Sequence, residues 1–144
     1  MEAFIHYLQK SPFNMMLFGA AVVTGAMLLW PLLLRPFRAG QEVGAFDAVQ
    51  LINRRDALVL DVRDAGEYEA GHIAGARHVP ERQLADRLKE LEKFRDKPVI
   101  VACRSGARSS VAVQVLRRNG FKEAVNLSGG MGAWEQAGMP VQKR

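Results

Sequence analysis

The apolar run Pro98-Val99-Ile100-Val101-Ala102 ends on Cys103, and the polar stretch Arg104-Ser105-Gly106-Ala107-Arg108-Ser109 separates it from Ser110-Val111-Ala112-Val113-Gln114-Val115-Leu116. A β-branched run, a tight glycine-containing loop and an amphipathic segment predict strand, loop and helix in that order. This fixes the only cysteine of the chain at the carboxyl end of a buried strand, directly before a helix N-terminus. Unpaired backbone N–H groups and the positive end of the helix dipole converge at such a point. A thiol there has a lowered pKa and reacts as the thiolate. Most lone cysteines are small buried hydrophobes. Two guanidiniums and a flexible glycine close by in sequence suit an anion better than a core, so a functional Cys103 is the stronger reading.

The same alternation recurs on either side of this stretch. Phe46, Val49, Leu51 and Ile52 fit a short helix, and Ala57-Leu58-Val59-Leu60-Asp61-Val62 reads as a strand buried on both faces. Asp64 caps a short helix through Glu67, Tyr68 and Ala70, closed by Gly71. Arg77-His78-Val79 is a short strand stopped by Pro80, and Leu84, Leu88 and Leu91 predict an amphipathic helix over 81–94. The helix after the cysteine loop stops at Asn119-Gly120, and Ala124-Val125-Asn126-Leu127 is the last strand. Gly129-Gly130 shapes a turn into a helix that buries Trp134 and ends at Gly138-Met139-Pro140. Strands alternating with helices predict an α/β domain with a mainly parallel sheet, with ligands at the carboxyl ends of its strands. Cys103 stands at one such end and Asp61 near another.

The chain before this domain has a different character. From Phe13 to Leu34 there is no charged residue. As a helix this stretch spans about 33 Å, close to a hydrocarbon core of about 30 Å. Trp30 suits an interfacial anchor, and Pro31 lies too near the end to interrupt much. The run is longer than the apolar part of a signal peptide, and no small-x-small cleavage site follows it, so a retained anchor is expected. The organisation predicted is a tail at 1–12, a transmembrane helix at 13–34, a linker at 35–44 and the domain at 45–142. Arg35, Arg38, Arg54 and Arg55 follow the span while Lys10 precedes it, which favours a cytoplasmic C-terminal domain. Ala21 and Gly25 form a small-xxx-small pair of the kind that permits a weak homodimer, although small residues are common in such spans.

The formal net charge is +5, and Glu2 offsets Lys10, so the excess belongs to the part after the span. A basic balance fits nucleic acid, an anionic membrane surface or small anionic substrates. The basic residues are dispersed among acids and carry no recognition motif, which argues against nucleic acid. The single cysteine excludes an intramolecular disulfide and agrees with a reducing compartment. His6 and His78 give no metal-ligand spacing, and neither metal nor cofactor is expected.

Leu60-Asp61-Val62-Arg63, Glu67-Tyr68, Gly71-His72-Ile73-Ala74-Gly75-Ala76, the cysteine loop, and Leu127-Ser128-Gly129-Gly130 with Trp134 and Pro140-Val141 together resemble the single-domain rhodaneses over about residues 40–142. The resemblance implies a rhodanese-like α/β domain and sulfurtransferase chemistry. The cysteine would take a sulfane sulfur from an anionic donor such as thiosulfate, hold it as a persulfide and pass it to cyanide or a thiol, small or protein-borne. More distantly, the architecture resembles anchored rhodanese-like proteins of the bacterial inner membrane.

From the residues, Cys103 is the nucleophile. Backbone N–H groups of 104–108, which include Ser105, Gly106 and Ala107, would curl around the sulfur and stabilise negative charge, with Gly106 permitting the curl. Arg108 would attract the anionic donor, with Arg104 either helping or serving as a solvated loop charge. Asp61, Arg63, Glu67 and His72 are expected to brace the strand ends as a carboxylate–guanidinium network. A general-base role for His72 ranks lower, because a thiolate needs none. Cysteine phosphatases and arsenate reductases place five residues between cysteine and arginine. Cys103 and Arg108 enclose four, a loop suited to one sulfur atom and cramped for phosphate. The other alternative is a membrane-tethered module that docks a protein without significant catalysis. Retention of the cysteine weighs against it, and Cys103→Ser discriminates the two.

Overall fold

The computed structural model describes residues 11–38 and 42–143. Residues 1–10 of the expected tail, with Glu2, His6 and Lys10, lie outside the described residues, as do 39–41, Arg144 and the side chains of 31–38. The chain divides into two compact units, Met1–Ala39 and Gly40–Arg144.

The first unit is helix α1, Pro12–Arg38, which runs through Pro31 and continues beyond Leu34. The Ser11 hydroxyl accepts the N–H of Phe13 at 3.3 Å, and Pro12 occupies the first helical position, where its missing N–H is no loss. Thr24 donates its hydroxyl to the carbonyl of Ala20 at 2.8 Å, so this polar group is satisfied within the helix. Phe13, Leu17, Val23, Met27, Leu28 and Trp30 are all exposed. By length and composition α1 is sufficient to cross a bilayer.

The second unit is an α/β domain around a five-stranded parallel sheet ordered β1-β5-β4-β2-β3. Its strands are β1 (Glu42–Val43), β2 (Leu58–Asp61), β3 (Arg77–His78), β4 (Val99–Ala102) and β5 (Ala124–Leu127). Helices α2 (Ala45–Arg55), α3 (Ala65–Ala70), α4 (Leu88–Leu91), α5 (Ala107–Arg118) and α6 (Gly130–Gln136) connect and follow them. Side chains of successive strand residues point to opposite faces, so β2 and β4 build two cores. Leu58, Leu60, Val99 and Val101 pack with Ala112, Val113 and Leu116 of α5. Val59, Ile100 and Ala102 pack with Ala48 of α2 and Met131 and Trp134 of α6. Continuing the alternation of β4 by one residue turns Cys103 toward the α5 side.

Two stretches differ from the sequence expectation. The helix predicted over 81–94 is broken into a 3₁₀ turn at Glu81–Gln83, the single α-turn of α4 and a second 3₁₀ turn at Glu92–Phe94. Leucines three or four apart fit tight turns as well as an α-helix, and Leu84 and Leu91 are buried here from short turns. Glu42-Val43, expected as linker, forms an edge strand whose register sets Glu42 beside Asn126.

Candidate active site

Cys103 directly follows β4, at the centre of the sheet, and is 1% exposed. Arg104 and Ser105 turn the chain, and Gly106, at φ 98°, opens α5. That left-handed conformation is accessible to glycine without the strain a Cβ brings. It aims the N–H of Gly106 at the sulfur, 3.0 Å from Sγ. The hydroxyl of Ser109, on the first turn of α5, lies 3.1 Å from the same atom. Burial raises the thiol's pKa; hydrogen bonds from the Ser109 hydroxyl and from the N–H groups of Ser109, Gly106 and Ser105 together outweigh it. The pKa therefore falls below its ordinary 9.0.

The neighbouring charges form two separate pairings. Asp61 ends β2, and its carboxylate accepts Nε and Nη2 of Arg63, the shortest contact being 2.6 Å. Arg63 also donates to the carbonyl of Gly71 at 2.7 Å. Both side chains are almost wholly buried. Glu67 receives a bidentate grip from Arg108, at 2.9 and 2.8 Å, and also accepts the N–H of Asp64 in a capping box at the start of α3. The paired guanidinium holds the Glu67 carboxyl below its ordinary 4.5. His72 is buried, stacks on Tyr68 at 3.8 Å, and places Nδ1 2.8 Å from that residue's carbonyl oxygen. Its backbone bridges to Gln142, and among the described residues no contact carries it to the sulfur. The structure thus ties Arg108 to a carboxylate and His72 to a tyrosine.

Arg104 remains at the surface beside the loop. Together with Arg63 and Glu135 of α6 it lines two open clefts, of about 390 and 320 Å³, one bordered by Ser105 and Gly129 and the other by Glu67 and Gly71. The loop's floor is α6. Met131 and Gly132 donate their N–H groups to the carbonyls of Cys103 and Arg104, at 2.8 and 3.1 Å. A Cβ on Gly130 would overlap the Cys103 carbonyl oxygen, so only glycine permits this approach. The glycine pair shapes the turn and also seats the loop.

Two polar residues here escaped the sequence reading as site members. Ser109 is fully buried, and Asn126 of β5 is 3% exposed with its Oδ1 2.5 Å from the Ser109 hydroxyl. The signal was present. Ser109 occupies the stripe of Ala112, Val113 and Leu116, and Asn126 interrupts an otherwise apolar strand.

The family model described as "Rhodanese-like domain" matches residues 45–137, and the chain belongs to that family. It is 46% identical over 80 residues to the uncharacterized protein YqhL of Bacillus subtilis, covering 56% of this chain and 62% of that protein, which is less than two thirds of its length. It is 36% identical over 95 residues to the thiosulfate sulfurtransferase GlpE of Coxiella burnetii, covering 66% of this chain and 87% of GlpE. A crystal structure of a rhodanese-related protein from Thermoplasma volcanium superposes with a TM-score of 0.66 at 35% identity, covering 72% of this chain and 99% of that one.

Proposed function

We propose that this protein is a sulfurtransferase working through a persulfide on Cys103. The observation that carries the reading is the convergence of the Gly106 N–H and the Ser109 hydroxyl on one buried sulfur at the mouth of α5. The Gly106 N–H is fixed in place and stabilises an anion without reorganising, and the Ser109 hydroxyl stands within reach of the same atom, which favours the thiolate. The thiolate attacks the outer sulfur of an anionic, thiosulfate-like donor. A sulfur–sulfur bond forms to Cys103, and the bond to the sulfonate breaks, its electron pair leaving on sulfite. A thiophilic acceptor, cyanide or a thiol, then attacks the terminal sulfur, and Cys103 departs again as the thiolate. Atoms and electrons balance without a redox partner.

Arg104 is the residue we assign to the donor's negative charge. It borders both clefts beside the loop, whereas the charge of Arg108 is largely spent on Glu67. Gly106 and the loop N–H groups hold the sulfur, and the Asp61–Arg63 pair keeps the end of β2 rigid beside them. Helix α1 is read as a retained single-pass anchor in a bacterial inner membrane, with the domain on the cytoplasmic side. Its apolar length and the arginines that follow it support this reading.

The test is thiocyanate formation from thiosulfate and cyanide by the full chain in detergent. Turnover that disappears in Cys103→Ser supports the reading. A folded wild-type protein that turns over no sulfane donor leaves the docking module as the better description.

A further inference from the structure

The amide of Asn126 is oriented by its neighbours. Its nitrogen faces two acceptors, the carbonyl of Gly106 at 3.2 Å and the carboxylate of Glu42 at 3.5 Å. Its oxygen must therefore face Ser109. Two oxygens 2.5 Å apart require a proton between them, and an amide oxygen has none, so Ser109 donates to Asn126. Among the described residues the Ser109 hydroxyl has one other partner, the Cys103 sulfur at 3.1 Å. A hydroxyl carries a single proton and two acceptor positions. While its proton lies on Asn126, only its lone pairs are available to the sulfur.

A neutral thiol suits that arrangement, because S–H donates into those lone pairs. A thiolate does not, because it needs a donor. We propose that Asn126 restrains ionisation of Cys103 through Ser109, whose proton leaves Asn126 for the sulfur only when the sulfur is anionic. The thiol proton itself passes to solvent. Ser109 touches the reacting sulfur, and Asn126 is a positioning residue that acts through it. The inference rests on the persulfide reading for its relevance. In that cycle the hydroxyl turns to the sulfur whenever Cys103 is released as the thiolate and returns to Asn126 when a sulfane sulfur is bound.

Other charged groups nearby act differently. Arg108, on α5, is close enough to favour the thiolate electrostatically, and Glu42, on the edge strand, meets the nitrogen of Asn126. Arg104 stands on the loop itself, and Arg63, beyond β2, is paired with Asp61. None of them supplies or withdraws the Ser109 proton.

The test titrates the ultraviolet absorbance of the thiolate, which in a chain with one cysteine reports Cys103 alone. Ser109→Ala removes a donor to the anion and raises the midpoint by about one pH unit. Asn126→Ala frees the Ser109 proton and lowers it by about the same amount, a roughly tenfold gain in thiolate below the midpoint. The double variant titrates like Ser109→Ala. A purely structural asparagine does not move the midpoint downward, and not only in the presence of Ser109. An upward shift in Asn126→Ala, or an equal shift with Ser109 absent, overturns the proposal. Circular dichroism decides whether Asn126→Val replaces a misfolded Asn126→Ala. Independently of either, the infrared S–H stretch of the wild type lies at lower frequency than in Ser109→Ala, and equal frequencies overturn the proposal. None of these readouts needs sulfur transfer, so loss of the persulfide reading and loss of this relay are separate results.

Discussion

Arg104 stands on the cysteine loop and Arg108 four residues on, in the first turn of α5, and their surroundings give them different work. Arg108 is gripped by Glu67 and flanked by Asp64, while Arg104 borders open clefts. Arg104→Ala therefore raises KM for thiosulfate about tenfold, the loss of one charge-assisted contact, and leaves kcat nearly unchanged. Arg108→Ala acts on stability and on the thiol instead. It lowers Tm slightly, and it raises the thiol pKa because a favourable charge is gone. Steady-state kinetics with both variants, beside a thiolate titration, distinguishes the two roles. The glycines separate in the same way. A Cβ at Gly106 finds ordinary contact distances, the nearest 3.5 Å, so Gly106→Ala carries only the left-handed strain of about 1–2 kcal/mol. At Gly130 the strain is compounded by overlap with the loop's own backbone, and Gly130→Ala loses on the order of 3 kcal/mol. Denaturant unfolding of both variants checks that order.

At the scale of elements, the Asp61–Arg63 pair at the end of β2 and the Glu67–Arg108 pair between α3 and α5 differ in burial and hence in worth. Asp61→Ala leaves the Arg63 guanidinium buried without its partner and destabilises the domain by about 3–5 kcal/mol. The Glu67–Arg108 pair is partly exposed and contributes about 1 kcal/mol or less. Because folding lowers the Glu67 pKa, that contribution is complete above pH 4.5 and disappears as the pH falls through the folded value. Thermal unfolding of wild type and Glu67→Gln should differ above pH 4.5 and converge in acid. The central elements were legible in the sequence because β2 and β4 lie in short apolar runs, β5 is apolar but for Asn126, and α5 follows the cysteine loop with a clear stop at Asn119-Gly120. The stretch 81–94 was not, since leucine spacing cannot separate 3₁₀ turns from an α-helix. Nor was β1, whose two residues gain meaning only by pairing with β5. The bracing role expected of Asp61 and Arg63 rested on charge types. The capture of Arg108 by Glu67, 41 residues away in sequence, depends on how α3 meets α5 and has no local signature. Ser109 and Asn126 meet for the same reason, across the contact of α5 with β5.

At the scale of the whole molecule, an apolar helix precedes the α/β domain. On the persulfide reading the groups that hold the sulfur, Cys103, Gly106 and Ser109, all belong to the domain, so α1 is expected to govern where the reaction happens. A reporter fused after Arg144 reads out as cytoplasmic, and a periplasmic signal contradicts the orientation drawn from the arginines. The activity itself has a more direct test. The domain from Gly40 onward is incubated with thiosulfate, and its intact mass is measured beside that of Cys103→Ser. The persulfide mechanism predicts a gain of one sulfur atom in the wild type, none in the variant, and its removal by cyanide. A folded wild-type domain with an accessible thiol that gains no sulfur from thiosulfate or any other sulfane donor contradicts it.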